Sequence, residues 1–176
     1  MRLFRILFVS LALLSNAAPA KADIFAVAGS DLSSDFGAGV GGGLGYTYPF
    51  TDIIGLRFDL TYLRYTFQGK NTFGNSNITY SRIPLFAGVR GGMNIDKNAR
   101  FYLEGGLEIS HDKMDIKGDY GGETFGAKSG KTSMGAAVGG AVQFGITDFF
   151  ALGLIFRNHS SSPGYFTYGL SLSGGF

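Results

Sequence analysis

Residues 165–176 read YFTYGLSLSGGF, and their alternation decides the fold. Phe166, Tyr168, Leu170 and Leu172 are apolar, while Thr167, Gly169, Ser171 and Ser173 are small or polar. A repeat of two places the first set on one face of a β-strand and the second set on the other. One face seeks an apolar medium and the other accepts water. The run is carried to Phe176, where a solvated segment would turn polar.

The same period recurs upstream. Residues 36–48 carry glycine or threonine at every odd position from 37 to 47, opposite Phe36, Ala38, Val40, Leu44, Tyr46 and Tyr48. Ile54, Leu56, Phe58, Leu60 and Tyr62 oppose Arg57, Asp59 and Thr61; Ile83, Leu85, Ala87 and Val89 oppose Arg82, Phe86 and Arg90. Phe101, Leu103, Leu107 and Ile109 oppose Tyr102, Glu104, Glu108 and Ser110. Segments 133–146 and 152–157 alternate likewise, and a weaker one covers 23–29. With the closing segment, the count predicts eight strands and an all-β chain.

The connections predict a sidedness. Those at 49–52, 94–98 and 147–148 are tight and contain Asp or Asn, whose side chains bond nearby backbone. Those at 30–35, 69–77, 112–130 and 159–164 are longer and more polar. Alternating strands with short turns at one end and long loops at the other describe an antiparallel up-and-down transmembrane β-barrel. Met114 and Ile116 alternate with Asp115 and Lys117, so the fifth and sixth strands are expected to project beyond the membrane.

The amino end points to the same compartment. Basic residues Arg2 and Arg5 precede an apolar run from Ile6 to Leu14, and small residues follow in an A-x-A pattern. This reads as a secretory signal peptide over 1–22, leaving 23–176 as one barrel domain. No later run of 18 apolar residues offers a transmembrane helix. The chain has no cysteine, which removes disulfides and thiolate chemistry. A net charge of +2 with scattered basic residues argues against a nucleic-acid partner.

A soluble sandwich or barrel would expose its polar face, yet the small face here is rich in glycine, with 29 in the chain. That suits a narrow interior better than a solvated exterior. Eight strands enclose a bore that side chains fill. Arg57, Arg82, Arg90 and Arg157 are expected inside, paired with Asp59, Glu104 and Glu108, with Arg57 or Tyr102 leaning over the glycine wall at 37–45. Such a network plugs the lumen. A conducting pore, the further alternative, needs more strands.

On these residues the chain resembles the small eight-stranded outer-membrane proteins of the OmpA/OmpX-like β-barrel superfamily, over its whole length after residue 22. The resemblance implies a bacterial outer-membrane location, contact with membrane lipids and lipopolysaccharide, and a final strand read by the barrel assembly machinery. Phe176, Leu172, Leu170 and Tyr168 match that terminal signal, whereas Gly174 stands where a bulky residue is usual. The expected role is envelope-structural or surface-interaction and adhesion, as a monomer, without catalysis. The 112–130 loop is the expected contact surface, for an extracellular partner left unnamed.

One stretch carries a second resemblance. Arg157-Asn158-His159-Ser160-Ser161 is similar to the His-x-Ser of PagL-type lipid A deacylases, whose serine attacks an ester while a glutamate on the next strand orients the histidine. His159 and Ser161 fit the spacing. No Asp or Glu follows Asp148, so the closing strand supplies no acid, and both residues share the inward parity of Arg157. No catalytic residue is therefore assigned. His111 with Asp112 and Asp115 is too sparse for a metal cage. Gly41-Gly42-Gly43 and Gly91-Gly92 lack the Lys-Ser/Thr of a phosphate loop, so no cofactor is expected.

Overall fold

The computed structural model describes residues 21–31, 38–71, 74–120, 123–162 and 164–174. Eight strands form a closed ring in chain order: β1 Lys21–Asp31, β2 Ala38–Pro49, β3 Ile54–Asn71, β4 Gly74–Asn94, β5 Ala99–Tyr120, β6 Glu123–Gly145, β7 Phe150–His159 and β8 Tyr165–Gly174. Every neighbouring pair is antiparallel, and β1 closes the ring on β8 through Ile24↔Leu172 and Ala28↔Tyr168. The predicted all-β, eight-stranded up-and-down barrel is the fold found. The signal-peptide reading and the Phe176 signal fall largely or wholly outside the described residues. Lys21 and Ala22, read as the end of that segment, pair with Thr47 and Tyr46.

The alternation sorts side chains to two faces. Leu103, Leu107, Met134, Val138, Leu154 and Leu170 are exposed outward. Arg57, Arg82, Phe86, Glu108, Thr167, Ser171 and Ser173 are buried within the bore. The polar face of the closing strand is thus the interior, which inverts the arrangement of a soluble barrel. Inward glycines make room for large rings. A Cβ at Gly39 would come 2.6 Å from the Tyr65 ring, and one at Gly92 would come 2.7 Å from Tyr102. Arg57 lies over Gly45 as expected; Tyr102 leans over Gly92 instead of the 37–45 wall.

The strand ends correct the sequence reading. The segments 69–77 and 112–130, expected as loops, are mostly strand: β3 and β4 pair as far as Asn71↔Gly74, and β5 and β6 as far as Tyr120↔Glu123. Beyond the apolar belt a hairpin needs only its ladder of backbone hydrogen bonds, so alternation fades while pairing continues. Four strands, β3 to β6, therefore rise as a sheet above the rim left by β7, β8, β1 and β2. One gap interrupts the β3–β4 ladder between Leu60↔Leu85 and Leu63↔Arg82. Pro84 lies in it and has no N–H to give.

The short turns also differ in detail. Thr51 Oγ1 accepts from the Ile53 and Ile54 N–H groups at 3.3 and 3.0 Å, and Thr147 Oγ1 accepts from Phe149 and Phe150 at 3.2 and 3.1 Å. The threonines, not Asp52 or Asp148, close those two turns. Only in the middle turn does an aspartate do so, Asp96 accepting from the Asn98 N–H at 2.7 Å.

Candidate functional site

The interior is built in tiers of polar side chains. Near the short-turn end, Arg57 pairs with Asp23 and, at 2.6 Å, with Asp59, and donates to Thr47 at 3.0 Å. Arg90 reaches Glu104 at 3.0 Å. Arg157 bridges Asp59 at 2.5 Å and Glu104, with its guanidinium carbon 4.1 Å from the Phe86 ring centre. At the opposite end Arg82 grips Asp112 through two nitrogens, at 2.8 and 3.2 Å, and lies 4.2 Å over the Tyr165 ring. Phe25, Val27, Leu63, Tyr65, Tyr80 and Tyr165 pack together around this upper tier.

Between these tiers lies the cluster that contains the sequence candidates. His159 Nδ1 is 2.5 Å from Glu108 Oε2, and its ring stacks on Tyr165 at 3.9 Å. Ser161 Oγ and Tyr165 OH both donate to Glu108 Oε1, at 2.9 and 3.0 Å. His159 Nε2 is 3.0 Å from Thr167 Oγ1. The acid that β8 lacks is therefore brought in by β5. The route is steric: Gly135 is the partner of Glu108 in the ladder, and a Cβ there would come 2.7 Å from the Ser161 Cα. Without a side chain on that residue, the 160–161 backbone folds in over β6.

The hydrogen bonds differ from the Ser-to-His order of a serine triad: Ser161 Oγ donates to the Glu108 carboxylate rather than to the imidazole. The free ring nitrogen addresses Thr167, and every member is buried inside the barrel, away from the outward apolar belt.

Sequence reasoning placed the four arginines inside but missed two acids, Asp23 and Asp112. Asp112 shares the even parity of Glu104 and Glu108, and Asp23 the odd parity of Phe25 and Val27. Extending the Glu104–Ser110 alternation by one step finds Asp112, and Asp23 opens the 23–29 segment already read as a strand. Glu108, expected against an arginine, is held by His159, Ser161 and Tyr165 instead. Among the described residues, no cluster of three or more His, Cys, Asp or Glu is arranged to hold a metal ion.

The barrel resembles solved outer-membrane proteins. Ail, the attachment invasion locus protein of Yersinia pestis, in complex with the heparin analogue sucrose octasulfate, is 16% identical, with 88% of this chain and 96% of that one covered and a TM-score of 0.61. OprG of Pseudomonas aeruginosa is 10% identical, with coverages of 89% and 96% and a TM-score of 0.59. Neisserial surface protein A is 18% identical, with coverages of 89% and 96% and a TM-score of 0.54. At these identities the likeness is one of fold. No curated protein matches the sequence. The family model of the outer membrane protein beta-barrel domain matches residues 8–173. The eight-stranded ring, its outward apolar belt and that match together make the chain a member of the outer membrane protein beta-barrel domain family, resident in the bacterial outer membrane.

Proposed function

We propose that the chain is a non-catalytic, monomeric surface protein whose lumen is closed and whose β3–β6 sheet serves adhesion or envelope contacts. The observation that carries this reading is the extension of four strands past the rim, ending in hairpins at Asn71↔Gly74 and Tyr120↔Glu123. Residues 123–132 of β6 are exposed on both faces, which is the geometry of a strand offered to a partner rather than to a core. In this orientation the short turns, the start of β1 and the end of β8 face the periplasm, and the tall hairpins face outward. The heparin analogue bound to Ail makes sulfated polysaccharides the first ligand class to try.

Closure of the lumen is supported by the tiers of ion pairs and by the size of the cavity among them. That cavity, lined by Arg57, Asp59, Glu104, Arg157, His159 and Thr167 among others, holds about 20 Å³, room for one water. The deacylase alternative has the His159–Glu108 contact in its favour. Its seryl hydroxyl, however, is engaged with Glu108 on the inner side of the wall.

The test is to replace residues 113–130 by an Asn-Gly turn and measure adherence of cells displaying the barrel to glycosaminoglycan-coated and cell surfaces. Heat-modifiable migration on gels checks that the barrel still forms. Loss of adherence with an intact barrel supports the reading, and unchanged adherence overturns it. In parallel, purified protein incubated with lipid A is expected to release no acyl chain. Release that disappears in both His159→Ala and Ser161→Ala would establish the enzyme instead.

A further inference from the structure

Above the membrane the two faces of the β3–β6 sheet exchange character. Within the barrel the inward parity is polar, as at Arg82, Glu108 and Asp112. Further along the same parity, Phe67, Ile78, Ile116 and Ala127 form one row across the four strands. The outward row beside it is Thr66, Thr79, Asp115 and Lys128, all polar. Phe67 is 47% exposed, and Ile78 and Ile116 are half-buried. One row nearer the tip Phe125 is exposed, its ring lying across Gly118, where a Cβ would meet it. An apolar patch on a sheet that projects into water marks an interaction surface.

We propose that a second copy of the chain, standing in a facing membrane, covers this patch with the same patch of its own. The strands β7, β8, β1 and β2 stop below the projecting sheet, which leaves the space in front of the patch open. Facing membranes turn one copy upside down relative to the other. Two sheets packed face to face then run antiparallel, related by a twofold axis that lies across the strands. An axis through the Ile116 and Ala127 row sets each of these against its own copy, and Met114 against Gly118. It also sets position 123 against position 131, since both lie four residues from Ala127. Those positions carry opposite charges. Glu123 at the hairpin tip and Lys131 near the barrel mouth are both exposed, on the parity of Ala127. Asp112, the ladder neighbour of Lys131, is already held by Arg82. Beside Lys131 a recess of about 220 Å³, lined by Tyr80, Asp112, Met114, Ser129 and Ser162 among others, leaves room for the incoming tip. Four strands over the stretch from Glu123 to Ser129 present roughly 400 Å² on each copy. That is the size of a transient contact, so the barrel stays single in its own membrane and adhesion takes many pairs at once. The proposal rests on the reading of the sheet as an adhesive surface and names a partner for it.

The experiment mixes red- and green-labelled phosphatidylcholine liposomes carrying the refolded barrel and counts particles that bear both labels by fluorescence cross-correlation. Wild-type liposomes are expected to join one another and not empty liposomes. Glu123→Lys and Lys131→Glu each set like charges against one another and should lower joining about fivefold or more. Mixing Glu123→Lys liposomes with Lys131→Glu liposomes makes both contacts attractive again and should restore it. Heat-modifiable migration on gels checks that every variant is folded. Joining to empty liposomes would make lipid the partner and overturn the second copy. Wild type that does not join itself, single variants that join as well as wild type, or a mixture that stays apart would each overturn the proposal too. Adherence to glycosaminoglycan-coated and cell surfaces that persisted in those cases would leave the adhesive reading standing without it.

Discussion

Glu108 on β5 and His159 on β7 meet inside the barrel at 2.5 Å, across the inward face of β6 that lies between their strands. One carboxylate thereby gathers an imidazole, the Ser161 hydroxyl and the Tyr165 phenol. Removing it strands three buried donors at once. Glu108→Ala is expected to destabilise the barrel by about 3 kcal/mol or more, because an orphaned buried polar group costs about 1–3 kcal/mol. Glu108→Gln keeps an acceptor for Ser161 and Tyr165 and should lose less. Urea unfolding in liposomes, followed by tyrosine fluorescence, gives both values, and equal losses would contradict this account.

The Arg82–Asp112 pair offers a cleaner comparison, since its two contacts are short and its side chains are nearly fully buried. Asp112→Ala leaves a guanidinium without its carboxylate and is expected to cost about 3–5 kcal/mol. The double variant Arg82→Met with Asp112→Leu removes both charges, fills similar volume and should cost markedly less. The same unfolding assay decides it. A double variant less stable than Asp112→Ala would mean that the pair contributes more than the burial of its charges consumes.

Strand number, antiparallel order and the two faces were legible because a membrane barrel repeats every two residues, and Leu103, Leu107, Glu104 and Glu108 obey that period without exception. The upper halves of β3 and β4 were not, and of β5 and β6 only the alternation of Met114 and Ile116 with Asp115 and Lys117 was readable, since above the apolar belt little enforces apolar alternation. The pairing of charges was harder still. Ladder neighbours are set by register, yet Arg157 on β7 meets Asp59 on β3 across the bore, and no one-dimensional pattern encodes a chord. His159 and Ser161 were correctly placed inside by parity. Their acid was missed because the expected family geometry directs attention to the next strand, while the glycine at 135 admits a carboxylate from β5.

Exposure alone does not distinguish lipid contact from water contact, and substitution does. Leu107 is 65% exposed on the belt, and Phe125 is 53% exposed on the projecting hairpin. Leu107→Arg places a charge in hydrocarbon and is expected to cost about 2–4 kcal/mol if it lies near the midplane. Phe125→Arg meets water and should stay within about 0.5 kcal/mol of wild type. Refolding into liposomes with both variants reads the difference directly, and equal penalties would misplace the membrane boundary.

The proposed closure of the lumen predicts an electrical phenotype. Arg57, Arg90 and Arg157 interlock with Asp23, Asp59 and Glu104 across the bore, so an ion entering there must separate charges that hold one another. The wild-type barrel in a planar bilayer is expected to show no large, stable open events. Glu104→Ser frees Arg90 and Arg157 from their common partner and leaves excess positive charge in that tier. Brief anion-selective openings should follow, at a cost in stability of about 3–5 kcal/mol. Glu104→Ser combined with Arg157→Ser removes charge of both signs and widens the tier, so openings should lengthen while the anion preference weakens. Large, stable wild-type channels would show that the tier yields to ions without substitution, and the closed-lumen reading would then be wrong.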